Sequence, residues 1–246
     1  AFKGKNLGFS IPGASCGEGA SNTDSREAWQ LYRHWLSLQS RIAEAEQRLD
    51  LSQSPMACLI NQVSGEALIL PAHSFQRAMI THGDLLESLE SWVHPALSSE
   101  RARVFTAALL AYRILTGTAP WVGTSGEEIR LRMREIRGLP ARLAHPGLLP
   151  ELTSLLDSAL QGPDPKGGSN PLTRPSLEQF CETMLSQAWK ESAALYRSPD
   201  EKELNQLVLE RQKFERARDA KENRCSFFRK HTKSLLVASL AVIGLG

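Results

Sequence analysis

Residues able to do chemistry are sparse in this chain, and their spacing excludes several classes of site. Cys16, Cys58, Cys181 and Cys225 lie far apart, with no CxxC pair and no ladder of short spacings. Structural zinc and disulfide scaffolds need clustered thiols, so these are read as reduced thiols of a cytosol-facing protein. The histidines form neither an HExxH pattern nor a Cys/His cluster, so no metal site is expected. Several glycines fall between Gly13 and Gly19, but no lysine follows them as a phosphate-cradling loop requires. A flexible linker is the better reading, and no cofactor is expected. His82-Gly83-Asp84 sets an imidazole near a carboxylate; a loop with Asp84 capping a helix accounts for it. Arg130, Arg132, Arg134, Arg137 and Arg142 form a basic run. It is either a solvated helix face or a surface for an acidic partner or phosphopeptide, with Arg130, Arg134 and Arg137 as the contacts. Trp29, Trp35, Trp92, Trp121 and Trp189 are expected to be core anchors rather than a ligand cage. The net charge is only +2, so no polyelectrolyte character points to nucleic acid, and a 41% hydrophobic content is enough for a sizeable core.

The elements that must position these residues are mostly helical. Residues 1–24 are rich in Gly, Ser and Asn and are read as loop, with one strand around Leu7–Ile11. Ser25 is the expected N-cap of a long helix carrying Trp29, Leu31, Trp35, Leu36, Leu38, Ile42, Ala45 and Leu49 at helical spacing. The apolar runs Ala57–Val63 and Ala67–Leu70, separated by Ser64-Gly65-Glu66, predict a β-hairpin with the glycine supplying the turn. Arg101 to Leu115 is apolar on nearly every side, the pattern of a helix buried in the middle of a domain. Thr116-Gly117 should end it, and Pro120 prevents its continuation. A second helix is expected after Thr124-Ser125, stopped by Pro140, and a third over Pro150 to Leu160. Gly162 to Pro171 reads as loop, and a fourth helix runs from near Ser176 to Trp189.

Residues 103–185 resemble the second half of a protein-kinase C-lobe. Arg103 to Trp121 is similar to the family's central helix and its exit, usually D-V-[FWY]-S-L-G-x-x-L-Y-E-L-L-T-G-x-x-P-F. Gly117 and Pro120 fall on the TGxxP positions. Glu127-Glu128-Ile129-Arg130 sits where the next short helix belongs, and Leu148–Leu152 with Leu155–Leu160 resemble the one after it. Thr173-Arg174-Pro175-Ser176 resembles the R-P-S/T start of the last helix, with Arg174 in the structural arginine's place. The long helix from Glu27 would precede the catalytic loop, and the hairpin would be the strand pair flanking the metal-binding motif. The resemblance also implies what is missing. Phosphoryl transfer in this family needs a catalytic Asp, an Asn and a metal-binding Asp. Asp50 is a relic candidate for the first, but the following lysine is Ser52 and the asparagine position falls on Pro55. The DFG position reads Pro71-Ala72-His73, APE reads His94-Pro95-Ala96, and the Asp of the central helix is Arg103. His82-Gly83-Asp84 looks like the HGD form of the catalytic loop but follows the hairpin, where the family places it before. No enzyme activity is therefore expected.

Beyond the domain, Ser198-Pro199-Asp200-Glu201 is a helix start with Ser198 as the cap. Leu204, Leu207, Val208, Arg211, Phe214 and Arg218 follow in a stripe too short and polar for a coiled coil. Basic residues then accumulate from Lys213 to Lys233, and an uncharged run, residues 234–246, follows at once. A dense positive flank beside an apolar run is the pattern of a juxtamembrane segment, with the positive side cytoplasmic. The run is shorter than a full span, and the chain opens on Ala1, so a fragment of a longer protein is expected.

The combined expectation is a mainly α (α+β) chain: loop and hinge remnant over 1–24, a kinase C-lobe-like domain over 25–190, a basic juxtamembrane helix over 198–233, and the start of a transmembrane helix over 234–246. Its expected role is that of a cytoplasmic pseudokinase module of a single-pass membrane protein, binding protein partners, with a homodimer through the juxtamembrane helix and no nucleic acid. The alternatives are a weakly active Ser/Thr-type kinase using Asp50 or Asp84, and a membrane-anchored helical adaptor unrelated to kinases.

Overall fold

The computed structural model describes the backbone of residues 4–6, 22–45, 58–61, 67–69, 97, 99–161 and 175–243, and the side chains of 26–40, 97, 101–161 and 175–226. The described part is mostly helical. A small antiparallel sheet of order β1-β2-β3 accompanies it, made of β1 (Gly4–Asn6), β2 (Cys58–Asn61) and β3 (Ala67–Ile69). Gly4 faces Asn61 and Cys58 faces Ile69 in the register. Residues 1–24 are therefore not all loop, and the strand expected around Leu7–Ile11 lies outside the described residues. The turn Ser64-Gly65-Glu66 lies outside the described residues.

Helix α1 (Asn22–Ala45) begins three residues before Ser25, which therefore sits in its first turn and is not its cap. Trp29, Tyr32, Trp35, Leu36 and Gln39 recur at helical spacing and are buried. Trp29 stacks on Tyr32 with ring centroids 5.2 Å apart. This stripe packs on α2 (Ser99–Thr116), in which every residue from 104 to 112 is buried. A helix buried all round is the centre of its domain, as the sequence predicts. Ala107, Ala108 and Ala111 let the neighbour approach, and Tyr32 donates to the Ala107 carbonyl at 3.2 Å.

Gly117, at φ +68°, ends α2, and its N–H donates to the Arg113 carbonyl at 3.0 Å. Left-handed backbone at this position is the reason a glycine is needed. Pro120 is buried beyond it, and Trp121 packs on Phe105 while its Nε1 donates to the Ile136 carbonyl at 2.9 Å. Helix α3 (Gly126–Glu135) is capped by Ser125, whose hydroxyl accepts from the Glu128 N–H at 3.2 Å. Its acids lie in the first turn and Arg132 and Arg134 in the last, which suits the helix dipole. The short α4 (Ala141–Ala144) is capped from a distance: Asp157 Oδ1 accepts from the Ala141 N–H at 2.8 Å. Burial raises the Asp157 carboxyl above its usual range, against the lowering pull of that N–H and of Arg137 and Arg142.

Helix α5 (Pro150–Ala159) starts on its proline and buries Leu152 and Leu156. Helix α6 (Leu177–Leu185) starts with a capping box of Ser176 and Gln179 and buries Leu177, Phe180, Cys181 and Met184. It ends well before Trp189, which falls in a separate 3-10 turn, Gln187–Trp189. The chain leaves the helical conformation at Ser186, where Arg33 of α1 meets it. Its guanidinium donates to the carbonyls of Met184 at 2.7 Å, Leu185 at 2.8 Å, Trp189 at 3.1 Å and Ser186 at 3.2 Å. The carbonyls of Met184, Leu185 and Ser186 are among those the end of α6 leaves without partners, and that of Trp189 closes the 3-10 turn. Trp29 Nε1 adds a bond to the Trp189 carbonyl at 3.0 Å. The chain then pairs Tyr196 with Leu148 in a β-bridge.

The last helix, α7 (Glu201–Ile243), has 43 residues. Its cap is Asp200, not Ser198: Asp200 Oδ1 accepts from the Glu203 N–H at 2.7 Å. The backbone runs through the expected boundary at 233–234 as one helix. No helix among the described residues is long and apolar enough to cross a membrane.

Candidate functional site

The basic run divides between two faces. Residues on a helix are 100° apart, so Arg130 and Arg134 share a face while Arg132 points the other way. Arg134 and Arg137 are exposed, and Arg130 is half-buried. Arg132 is turned to the tail: its Nη2 meets Glu128 at 2.9 Å and Glu222 of α7 at 2.6 Å, and its Nη1 donates to the Val122 carbonyl. Arg142 of α4 pairs with Glu210 of α7, and Arg197 forms a two-pronged pair with Glu203. Two arginines of the run therefore bind the chain's own helix.

The tail offers them one continuous face. Glu203, Leu207, Glu210, Phe214, Arg218 and Glu222 recur every three or four residues and are all buried or half-buried. Leu207 is 7% exposed and packs on Leu139 and Leu143, with Ala144 and Phe214 beside them. Burying a leucine this fully contributes about 1.5–3 kcal/mol. Leu204, Val208 and Leu209 face outward and are exposed, so the stripe seen in the sequence is split between two sides of α7.

The carboxylates respond to these contacts. The bond from Arg142, with one from Gln206, holds Glu210 below the usual range. The Arg197 fork does the same to Glu203, and the Thr124 hydroxyl and N–H hold Glu128 down. Elsewhere burial pushes the Cys181 thiol up to about 12, which makes it a packing residue and not a nucleophile. Among the described residues no group of three or more His, Cys, Asp and Glu side chains is gathered as a metal site would need.

Of the residues singled out in the sequence, Gly117 and Pro120 stand at the exit of α2 as described. Asp50, Asp84, Arg174, Pro71-Ala72-His73 and His94-Pro95-Ala96 lie outside the described residues. Sequence reasoning missed Arg33, Asp157, Glu210 and Glu222. The spacing of tail acids on one helix face was a signal for the last two, but nothing local named their partners.

No known protein-family model matches the chain, and no curated protein matches it. Among solved structures, the crystal structure of Rad53 1-466 in complex with AMP-PNP, a protein kinase, is similar to it with a TM-score of 0.44 and 18% identity. That similarity covers 69% of this chain and 42% of the other, so the chain spans less than half of that protein.

Proposed function

We propose that this chain is a non-catalytic, kinase C-lobe-like module that acts by binding a protein partner, held at a membrane through its tail. The observation carrying the interaction reading is the α3–α4 surface. Arg132 and Arg142 each take a carboxylate there, while Arg134 and Arg137 remain exposed. Arginine is suited to such pairing because its planar fork matches a carboxylate. The kinase-like reading is supported by the order of motifs: a buried helix, the TGxxP exit, three short helices and the last helix after Arg174-Pro175-Ser176. The non-catalytic reading is supported by the residue types at the phosphoryl-transfer positions, where Ser52, Pro55 and Pro71-Ala72-His73 cannot supply the amine, the amide and the metal-binding carboxylate. Membrane attachment is supported by the basic cluster that directly abuts the uncharged residues 234–246.

A thermal-shift titration of the chain with ATP and Mg²⁺ tests this. No change in melting temperature at saturating nucleotide is expected. A Mg²⁺-dependent rise would replace the proposal with a weakly active kinase, and Asp50→Ala and Asp84→Ala would then identify the carboxylate that matters.

A further inference from the structure

The tail helix covers a groove that is distinct from the Arg134 and Arg137 surface. Leu139 and Leu143 form its floor, Arg132 and Arg142 stand at its rims, and Leu207, Glu210 and Glu222 of α7 fill it. Glu210 and Glu222 lie twelve residues apart on one helix, which is about 18 Å at the α-helical rise. The groove therefore recognises a helix by one buried aliphatic side chain and two carboxylates at fixed spacing.

The manner of attachment sets α7 apart from the rest of the fold. The Arg33 clamp ties α1 to α6 through four carbonyls. The tail is held instead by separate ion pairs that keep water: the Arg132 and Glu222 side chains are 27% and 33% exposed, and those of Arg142 and Glu210 are 53% and 32% exposed. Half-solvated pairs hold weakly and exchange readily with other anions. Leu207 is the one tail residue among those described that is fully buried in the seam.

We propose that the α3–α4 groove is a docking site for an amphipathic helix of a partner protein that turns an apolar stripe and two carboxylates inward, with residues 203–222 of the tail as its resident occupant, displaced when the partner binds. The recognition pattern is the one the tail displays inward: an aliphatic residue, a carboxylate three positions on, an aromatic residue four beyond, and a second carboxylate eight further along. Charge complementarity selects this partner over an anionic surface, because the groove has an apolar floor between its arginines. This inference stands on the tail contacts alone and does not need the kinase-like reading.

The probe is a fluorescein-labelled peptide of residues 201–226, titrated by anisotropy into the full chain in detergent. Leu207→Asp opens the groove from the tail side, and Glu210→Arg with Glu222→Arg opens it without touching the apolar seam. A site that is open only a small fraction of the time binds weaker by that fraction. The peptide should therefore bind either released chain at least about tenfold tighter than the wild type. Adding Arg132→Glu and Arg142→Glu to the Leu207→Asp chain, or Arg132→Ala and Arg142→Ala to the charge-reversed chain, should abolish that gain, and in the first case a peptide with Glu210 and Glu222 changed to arginine should restore it. Circular dichroism separates release from unfolding, and if Leu207→Asp unfolds the chain the charge-reversed variant decides. Equal binding to wild-type and released chains would overturn the proposal, as would binding indifferent to Arg132 and Arg142. So would a released chain that closes the groove by exchanging tails in a dimer, seen by sedimentation.

Discussion

Arg33 should be the most costly single polar side chain to remove among those described. It joins α1 to the end of α6 across about 150 positions of sequence, through bonds of 2.7, 2.8, 3.1 and 3.2 Å to four carbonyls. Arg33→Met keeps most of the aliphatic stem, so the loss is polar and not a cavity. A hydrogen bond to a charged group contributes about 1.5–3 kcal/mol net. The four share two nitrogens and water reaches the site, so they do not add, and a total of about 3 kcal/mol follows from counting two full bonds at the lower figure. Burial lowers the Arg33 pKa, which sets a desolvation cost against this gain and keeps the total from being higher. In a domain of this size such a loss lowers the melting temperature by about 6–12 °C. Guanidinium unfolding followed by circular dichroism gives the free energy, and hydrogen exchange over residues 177–190 shows whether the end of α6 loosens first. Arg33→Lys should fall between wild type and Met, because a compact ammonium cannot span the same carbonyls. A loss below about 1 kcal/mol for Arg33→Met, or no extra exchange at α6, would refute the claim that this guanidinium holds the end of α6.

Two further outcomes follow from the geometry. Gly117→Ala should cost about 1–2 kcal/mol by the left-handed backbone alone, since a Cβ there meets nothing within 4 Å; Gly117→Asn should cost less, and chemical denaturation measures both. Glu203 and Glu210 are held below the usual carboxylate range by Arg197 and Arg142. Their contribution to tail docking is therefore complete above the free glutamate pKa, about 4.3, and disappears as pH falls through the lowered values. Amide protection across residues 203–214, taken relative to the intrinsic exchange rate at each pH, should fall below that pH and in high salt, and docking that survives both would mean that the apolar seam alone holds the tail.

The sequence by itself determined the elements whose cause is local. The all-round apolar run of residues 104–112 made α2 the centre of the domain, whatever packs on it. Ser125 and Ser176 announced helix starts because a cap acts on N–H groups two or three residues away. Thr116-Gly117 announced a stop for a similar reason. The buried Trp29, Trp35 and Trp121 were legible as anchors from size and spacing. Where the cause was distant, local pattern misled. Helix α6 was extended to Trp189 because nothing near it in sequence says that Arg33 will take its last carbonyls. Ser198 is the cap the local pattern names, but α7 starts at Glu201 and Asp200 takes that role. The basic run was legible as charge, but its division was not. Arg132 and Arg142 find their carboxylates 90 and 68 positions away, and only the tertiary fold brings the tail to them. Helical period and capping act over a few residues and can be read along the chain; ion pairs and seams depend on which surfaces meet, and that is settled by burial of the whole core.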